Sequence, residues 1–95
     1  MGKGRTLLER LAAGADTDAQ ELSYRPIVEI LGTQRVLIEN HFGIMSYSRE
    51  QILVKVRFGC IRVCGSGLEI LCMSREQLVI RGKICGVFLV GRGEL

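Results

Sequence analysis

The residues best equipped for chemistry in this sequence are one histidine and four cysteines. His41 is the only histidine, and Glu39 precedes it by two residues. Nucleophilic catalysis needs a cysteine or serine held beside such a base. Glu39 and His41 share a face if the stretch is extended, yet no Gly-x-Ser-x-Gly elbow or comparable turn accompanies them. The pattern reads as a turn histidine that hydrogen-bonds locally. Gly65-Ser66-Gly67 is too short to cradle a phosphate and opens no helix, so it reads as a hairpin turn. Glu50 and Glu76 lie beside Arg49 and Arg75 and read as solvated turn charges. No dinucleotide or P-loop pattern is present. No catalytic residue is assigned, and a non-enzymatic protein is expected.

The cysteines are Cys60, Cys64, Cys72 and Cys85. If 60–64 is a strand, the Cα atoms of Cys60 and Cys64 lie about 13 Å apart, too far to share a zinc ion or a disulfide without a bend. The expectation is four reduced thiols acting as buried small hydrophobes, with no metal and no cofactor.

Composition narrows the class. The chain has 95 residues, enough for one domain, and 47% are hydrophobic, which argues against disorder. There is no tryptophan and there are only five Phe and Tyr residues, so the core must be aliphatic. A net charge of +3 is spread along the chain without a basic stripe or stacking aromatics. Nucleic-acid binding is therefore an unfavoured reading, resting on Arg57, Arg62, Arg81 and Lys83. The longest apolar run, Ile84 to Val90, falls far short of the ~20 residues that a spanning helix needs. No secretory signal is read at the start. Gly2 with Thr6 matches only the loose, common myristoylation pattern.

Two regions must position these residues. Over 1–25, Leu7, Leu8 and Leu11 recur at helical spacing, and Asp16-Thr17-Asp18 offers a cap for a second short turn through Leu22. This predicts an N-terminal amphipathic helical segment. From Pro26 the period becomes two, which predicts a single β domain over 26–95. Strands are expected at 26–31, 35–40, 43–47, 51–57, 60–64, 67–73, 77–81 and 84–90. The predicted fold is an antiparallel meander, roll or partly closed barrel of seven or eight short strands. A short β-solenoid is the alternative.

Register can be read in part. A two-residue Gly65-Ser66 turn sets Val63 opposite Leu68, Ile61 opposite Ile70 and Arg62 opposite Glu69. In that register Cys60 and Cys72 fall on opposite faces. A loop at Arg57 to Gly59 sets Val56 opposite Ile61 and Val54 opposite Val63. The segment Ile44-Met45-Ser46-Tyr47-Ser48-Arg49-Glu50-Gln51 is echoed by Ile70-Leu71-Cys72-Met73-Ser74-Arg75-Glu76-Gln77. A shorter echo begins at Ile30. These predict a repeated strand–turn–strand unit with a Ser-Arg-Glu-Gln tip, by duplication or by two hairpins under one constraint. Leu37, Leu53, Leu71 and Val79 fall on the second face among charged residues. Two readings stand for them: cover by the N-terminal helix, or a binding surface for another protein.

The stretch Ile38-Glu39-Asn40-His41-Phe42-Gly43-Ile44 resembles the Ile-Glu-Asn-His-x-Gly segment of the YabP/YqfC family of sporulation proteins, YqfC type. Pro26-Ile27-Val28-Glu29-Ile30, Leu37, Gly59-Cys60-Ile61-Arg62-Val63, Gly65, Leu68-Glu69-Ile70 and Ile80-Arg81-Gly82-Lys83-Ile84 are similar to its Gly-and-aliphatic pattern. Leu8-Glu9-Arg10-Leu11-Ala12 is similar too. Arg25-Pro26-Ile27 departs from the family's usual Pro-Arg, and the four cysteines are unusual for it. The resemblance implies a bacterial protein of the mother cell during sporulation, cytoplasmic or peripheral at the forespore membrane. It implies a part in spore envelope or coat assembly, no enzymatic activity, and a membrane-embedded partner of the YqfD type. Apart from the resemblance, the alternative function is a homo-oligomeric structural protein that self-assembles through open sheet edges. Glu39, Asn40, His41 and Gly43 are the candidate interaction motif, beside the apolar set Leu37, Leu53, Leu71 and Val79. The alternative for the motif is a tight structural turn.

Overall fold

The computed structural model describes residues 25–74 and 76–94. The helix expected between Leu7 and Leu22 lies outside the described residues. The β-branched and aliphatic run after Pro26 forms six antiparallel strands, as its two-residue period dictates. They are β1 Ile27–Leu31, β2 Arg35–Glu39, β3 Ile44–Tyr47, β4 Gln51–Val56, β5 Gly59–Met73 and β6 Gln77–Gly91. A single 3-10 turn follows at Arg92–Glu94. The strands make one open sheet in the order β1-β2-β6-β5-β4-β3. All pairing is antiparallel, which excludes the solenoid alternative.

The expected count of seven or eight short strands is corrected to six. Gly65-Ser66 is not a hairpin turn: β5 runs through it as one 15-residue strand and pairs with β6 along its whole length. Gly82-Lys83 likewise lies inside the 15-residue β6. These glycines serve a bend. A Cβ on Gly65 would lie 2.0 Å from the Lys83 carbonyl oxygen, and one on Gly82 would lie 2.9 Å from the Gly67 carbonyl oxygen. Backbones can cross that closely only without side chains. Register shifts between Cys64 and Gly65 and between Ser66 and Glu69 sharpen the bend. Arg62 therefore faces Leu53 and Phe88, while Glu69 faces Arg81. Leu68 and Ile70 no longer meet Val63 and Ile61 as hairpin partners. Val63 pairs with Ile52 and Val87, and Ile61 with Val54 and Leu89.

The β4–β5 connection is also tighter than expected. Val56 pairs with Gly59 across the two-residue loop Arg57-Phe58, so Val54 faces Ile61 and Ile52 faces Val63. This is a two-residue slip from the sequence reading. It keeps every side chain on its expected face, because the strand period is two.

The bend divides the sheet into two wings. The first holds β1, β2, the end of β5 and the start of β6. The second holds β3, β4, the start of β5 and the end of β6. Val36, Ile38, Leu78 and Ile80 of the first wing join Ile52, Val54, Val56, Ile61 and Val63 of the second, with Leu68 at the bend, in one buried cluster. The alternation of buried and exposed positions along β2 and β4 is the signature of this shared interior.

Each wing adds one hairpin to the β5–β6 pair, β1–β2 on the β6 side and β3–β4 on the β5 side. The β1–β2 turn lies against β6, with the Gly82 N–H donating to Gln34 O (3.1 Å) and the Ile84 N–H to Thr33 O (2.8 Å). The β3–β4 turn lies against β5 in the same manner. There the Gly65 N–H donates to Glu50 O (3.0 Å) and the Leu68 N–H to Arg49 O (2.8 Å). Each turn thus spends its carbonyl groups on a bend that would otherwise leave N–H groups unpaired.

Candidate functional site

The Glu39-to-Gly43 motif joins β2 to β3 and crosses from one wing to the other. Asn40 adopts a left-handed conformation at φ 64, one of the few that asparagine tolerates better than most residues. Its side-chain Nδ2 donates to the Arg25 carbonyl (2.8 Å), and its N–H donates to the Glu76 carbonyl (2.8 Å). His41 is 7% exposed. Its Nδ1 accepts from the Gly43 N–H at 2.9 Å, which places the proton on Nε2, and Nε2 then donates to the Ser74 carbonyl at 3.0 Å. Both ring nitrogens are engaged with backbone. Gly43, at φ 114, turns the chain into β3, where Gly43 O accepts from Lys55 N–H and the Phe42 N–H donates to Lys55 O, each at 2.8 Å. Glu39 is half-buried, paired with Ile27 and Gln77. The arrangement is a clasp: Asn40 and His41 hold the tip of the β5–β6 hairpin by its carbonyl groups. Phe42 projects from it, 62% exposed.

The two Ser-Arg-Glu-Gln tips share hydrogen bonds between their serine and glutamine. The Ser48 N–H donates to Gln51 O (2.8 Å), and Ser48 Oγ accepts from the Gln51 N–H (3.0 Å). The Ser74 N–H donates to Gln77 O (2.7 Å), and Ser74 Oγ accepts from the Gln77 N–H (3.1 Å). A serine hydroxyl closing such a turn is a recurrent local solution. The echo in sequence is therefore one turn built twice.

The apolar candidates separate between the wings. Leu37 pairs with Val79 on the outer layer of the first wing, and Leu71 and Cys72 together stand opposite Val79 at a register shift. Around them lie Glu29, Arg35, Glu39, Glu69 and Arg81. Arg35, Arg81 and Glu69 form one row across three strands. Arg81 donates to Glu69 Oε1 from Nη2 at 2.8 Å and from Nε at 3.2 Å. That hydrogen bond, then the Arg81 charge, and more weakly the Arg49 charge, hold the Glu69 carboxyl below its ordinary range. Leu53 lies on the second wing opposite Arg62, not with the other three. Arg62 packs over the Phe88 ring, 4.9 Å from its centroid, and that ring covers Gly86.

Sequence reasoning missed the large apolar side chains that the fold leaves in water. Leu89 is 68% exposed, Met73 55% and Phe88 45%. The signal is in the sequence: Phe88 and Leu89 belong to the longest apolar run, read as a strand and as too short for a membrane span, but not as a surface.

The cysteines are all free thiols, but the expected burial holds only for Cys60: Cys64 is half-buried, and Cys72 and Cys85 are exposed. No group of three metal-ligating side chains occurs among the described residues. Among them, too, no helix is long and apolar enough to cross a membrane. Two open concavities are bordered by basic groups, one of about 590 Å³ at Arg35, Arg81 and Lys83, the other of about 530 Å³ at Arg25, Arg57, Phe58 and Arg92. Arg57, Arg62, Arg81 and Lys83 are dispersed over a turn, the second wing, the first wing and the bend, and form no common stripe.

The architecture defines a small antiparallel β protein whose motif residues bind its own backbone and whose outer layer keeps apolar side chains in water. The YabP family matches it over residues 24–94, most of the chain, and the protein belongs to that family. The match is to the family as a whole and does not single out the YqfC type. That membership points to a sporulation-related protein. No curated protein and no solved structure matches the chain.

Proposed function

We propose that the protein is a non-enzymatic interaction module in spore envelope or coat assembly, working in the mother cell against a membrane-embedded partner of the YqfD type. The observation that carries the reading is the outer layer of the first wing. There Leu37, Leu71 and Val79 adjoin one another, and Leu71 is 40% exposed. An apolar centre rimmed by charges is the usual make-up of a protein-docking surface. The chemistry available at the clasp supports the same reading, since His41 spends both nitrogens on backbone groups.

The test is a deletion strain complemented with wild-type or Leu71→Asp protein. Wild type restores resistant spores and co-purifies with the YqfD-type protein. Leu71→Asp accumulates normally but does neither, because a buried carboxylate at a contact costs several kcal/mol. Normal spores from the deletion strain would overturn the role in sporulation. Full function of Leu71→Asp would overturn this docking surface.

A further inference from the structure

The β6 strand outlasts its neighbour. β2 pairs with it only as far as Arg81, and the Thr33 and Gln34 carbonyl groups serve Ile84 and Gly82. Beyond Cys85, β6 is paired on the β5 side alone among the described residues. Alternate residues of Gly86-Val87-Phe88-Leu89-Val90 therefore turn their N–H and C=O groups to an open edge.

Sheet edges are normally blunted by a charge, a proline or a bulge. The other open edges of this sheet carry such devices. β1 follows Pro26 and has Glu29 at its centre, β3 has a register shift between Ile44 and Ser46, and the end of β5 carries Glu69 and a shift between Ile70 and Cys72. The stretch Gly86 to Val90 has no charge, no proline and no register shift. Its side chains are also incompletely covered. Leu89 faces Ile61, so it belongs to the inner layer, yet at 68% it is the most exposed large apolar side chain among the described residues.

We propose that this edge pairs with the same edge of a second copy, antiparallel about a two-fold axis, to form a homodimer with one continuous sheet. The proposal names a partner for the interaction-module reading and rests on that reading for its setting. Pairing centred on Phe88 sets Val87 against Leu89 of the second copy and Gly86 against Val90. Inner layer then meets inner layer, and the exposed Leu89 of each copy extends the core of the other. No like charges meet in this register, so a second copy fits without conflict. The same symmetric pairing at β1 would set Glu29 against Glu29, which selects β6 over β1.

Sedimentation of the full chain over a range of concentrations tests this. Wild type sediments as a dimer, and Leu89→Lys weakens dimerisation at least ~10-fold with an unchanged β-sheet spectrum, because a lysine would be buried against apolar groups. Ile30→Lys, at an equally open position on the β1 edge, leaves the dimer intact. Hydrogen exchange gives a second reading: amides between Gly86 and Val90 lose protection on dilution. A wild-type chain that stays monomeric at several hundred micromolar overturns the proposal. So does a dimer lost in Ile30→Lys and kept in Leu89→Lys. Spore rescue by the wild-type gene is scored separately, so failure of the sporulation role does not masquerade as failure of dimerisation.

Discussion

His41 illustrates how a residue with catalytic potential is consumed by structure. Its ring joins the Gly43 N–H to the Ser74 carbonyl, on segments distant in the chain, and removing it breaks both hydrogen bonds. His41→Ala is expected to lower stability by about 2 kcal/mol, read from urea midpoints, since two hydrogen bonds of about 1 kcal/mol each are lost. Glycine positions split by geometry in the same manner. Gly65→Ala would force a Cβ against the Lys83 backbone at 2.0 Å, whereas a Cβ on Gly32 meets nothing within 4 Å. Gly65→Ala should cost more than about 3 kcal/mol or abolish folding. Gly32→Ala should cost only about 1 kcal/mol, the strain of its φ of 62. Thermal unfolding of the pair separates close approach from conformational preference.

At the level of elements, the paired serine turns give a second comparison. Ser48→Ala and Ser74→Ala each remove one hydroxyl that closes a turn, so each should cost about 1 kcal/mol, and the two effects should add. The Glu69–Arg81 pair sets a pH dependence whose sign is fixed by the lowered carboxyl. The folded state binds that proton less readily than the unfolded chain, whose ordinary value is 4.5. The pair's contribution is therefore full above 4.5 and lost as pH falls through the lower folded value. Urea midpoints of wild type and Glu69→Gln should differ at pH 7 and converge at low pH. The gap should shrink in salt, because both side chains are about half exposed.

The elements also show how far the sequence was readable. The inner set Ile52, Val54, Val56, Ile61, Val63, Leu68, Ile70, Leu78 and Ile80 follows from period two; all are buried except Ile70, which is half-buried against the core. The β4–β5 register slipped by two residues without harm, because face assignment survives an even slip. Gly65-Ser66 was misread because a glycine at a bulged bend and a glycine in a hairpin loop have the same local signature. Only the length of β6 decides between them: a hairpin at Gly65 would strip β6 of its partner. Leu53 was grouped with Leu37 because alternation reports a face, not a wing. The clasp was visible as a motif, but its hydrogen-bond partners Arg25, Ser74 and Glu76 are set by the topology and could not be read locally.

For the whole molecule, one interior shared by two wings implies one unfolding event. Ile38→Ala in the first wing and Val63→Ala in the second should each cost about 2–4 kcal/mol and shift a single, probe-independent transition. Separate transitions for the two wings would contradict a common core. The order of strand pairing adds a kinetic consequence. β1–β2, β3–β4, β4–β5 and β5–β6 are all neighbours in sequence, and each can zip from a short loop. β2–β6 is the exception: Arg35 must find Arg81 across 46 positions of chain. Loop closure makes that seam the expected last step of folding. Substitutions along it, at Val36 or Ile80, should hasten unfolding and leave refolding nearly unchanged, and a stopped-flow comparison in which refolding slows instead would put the joining of the two wings early.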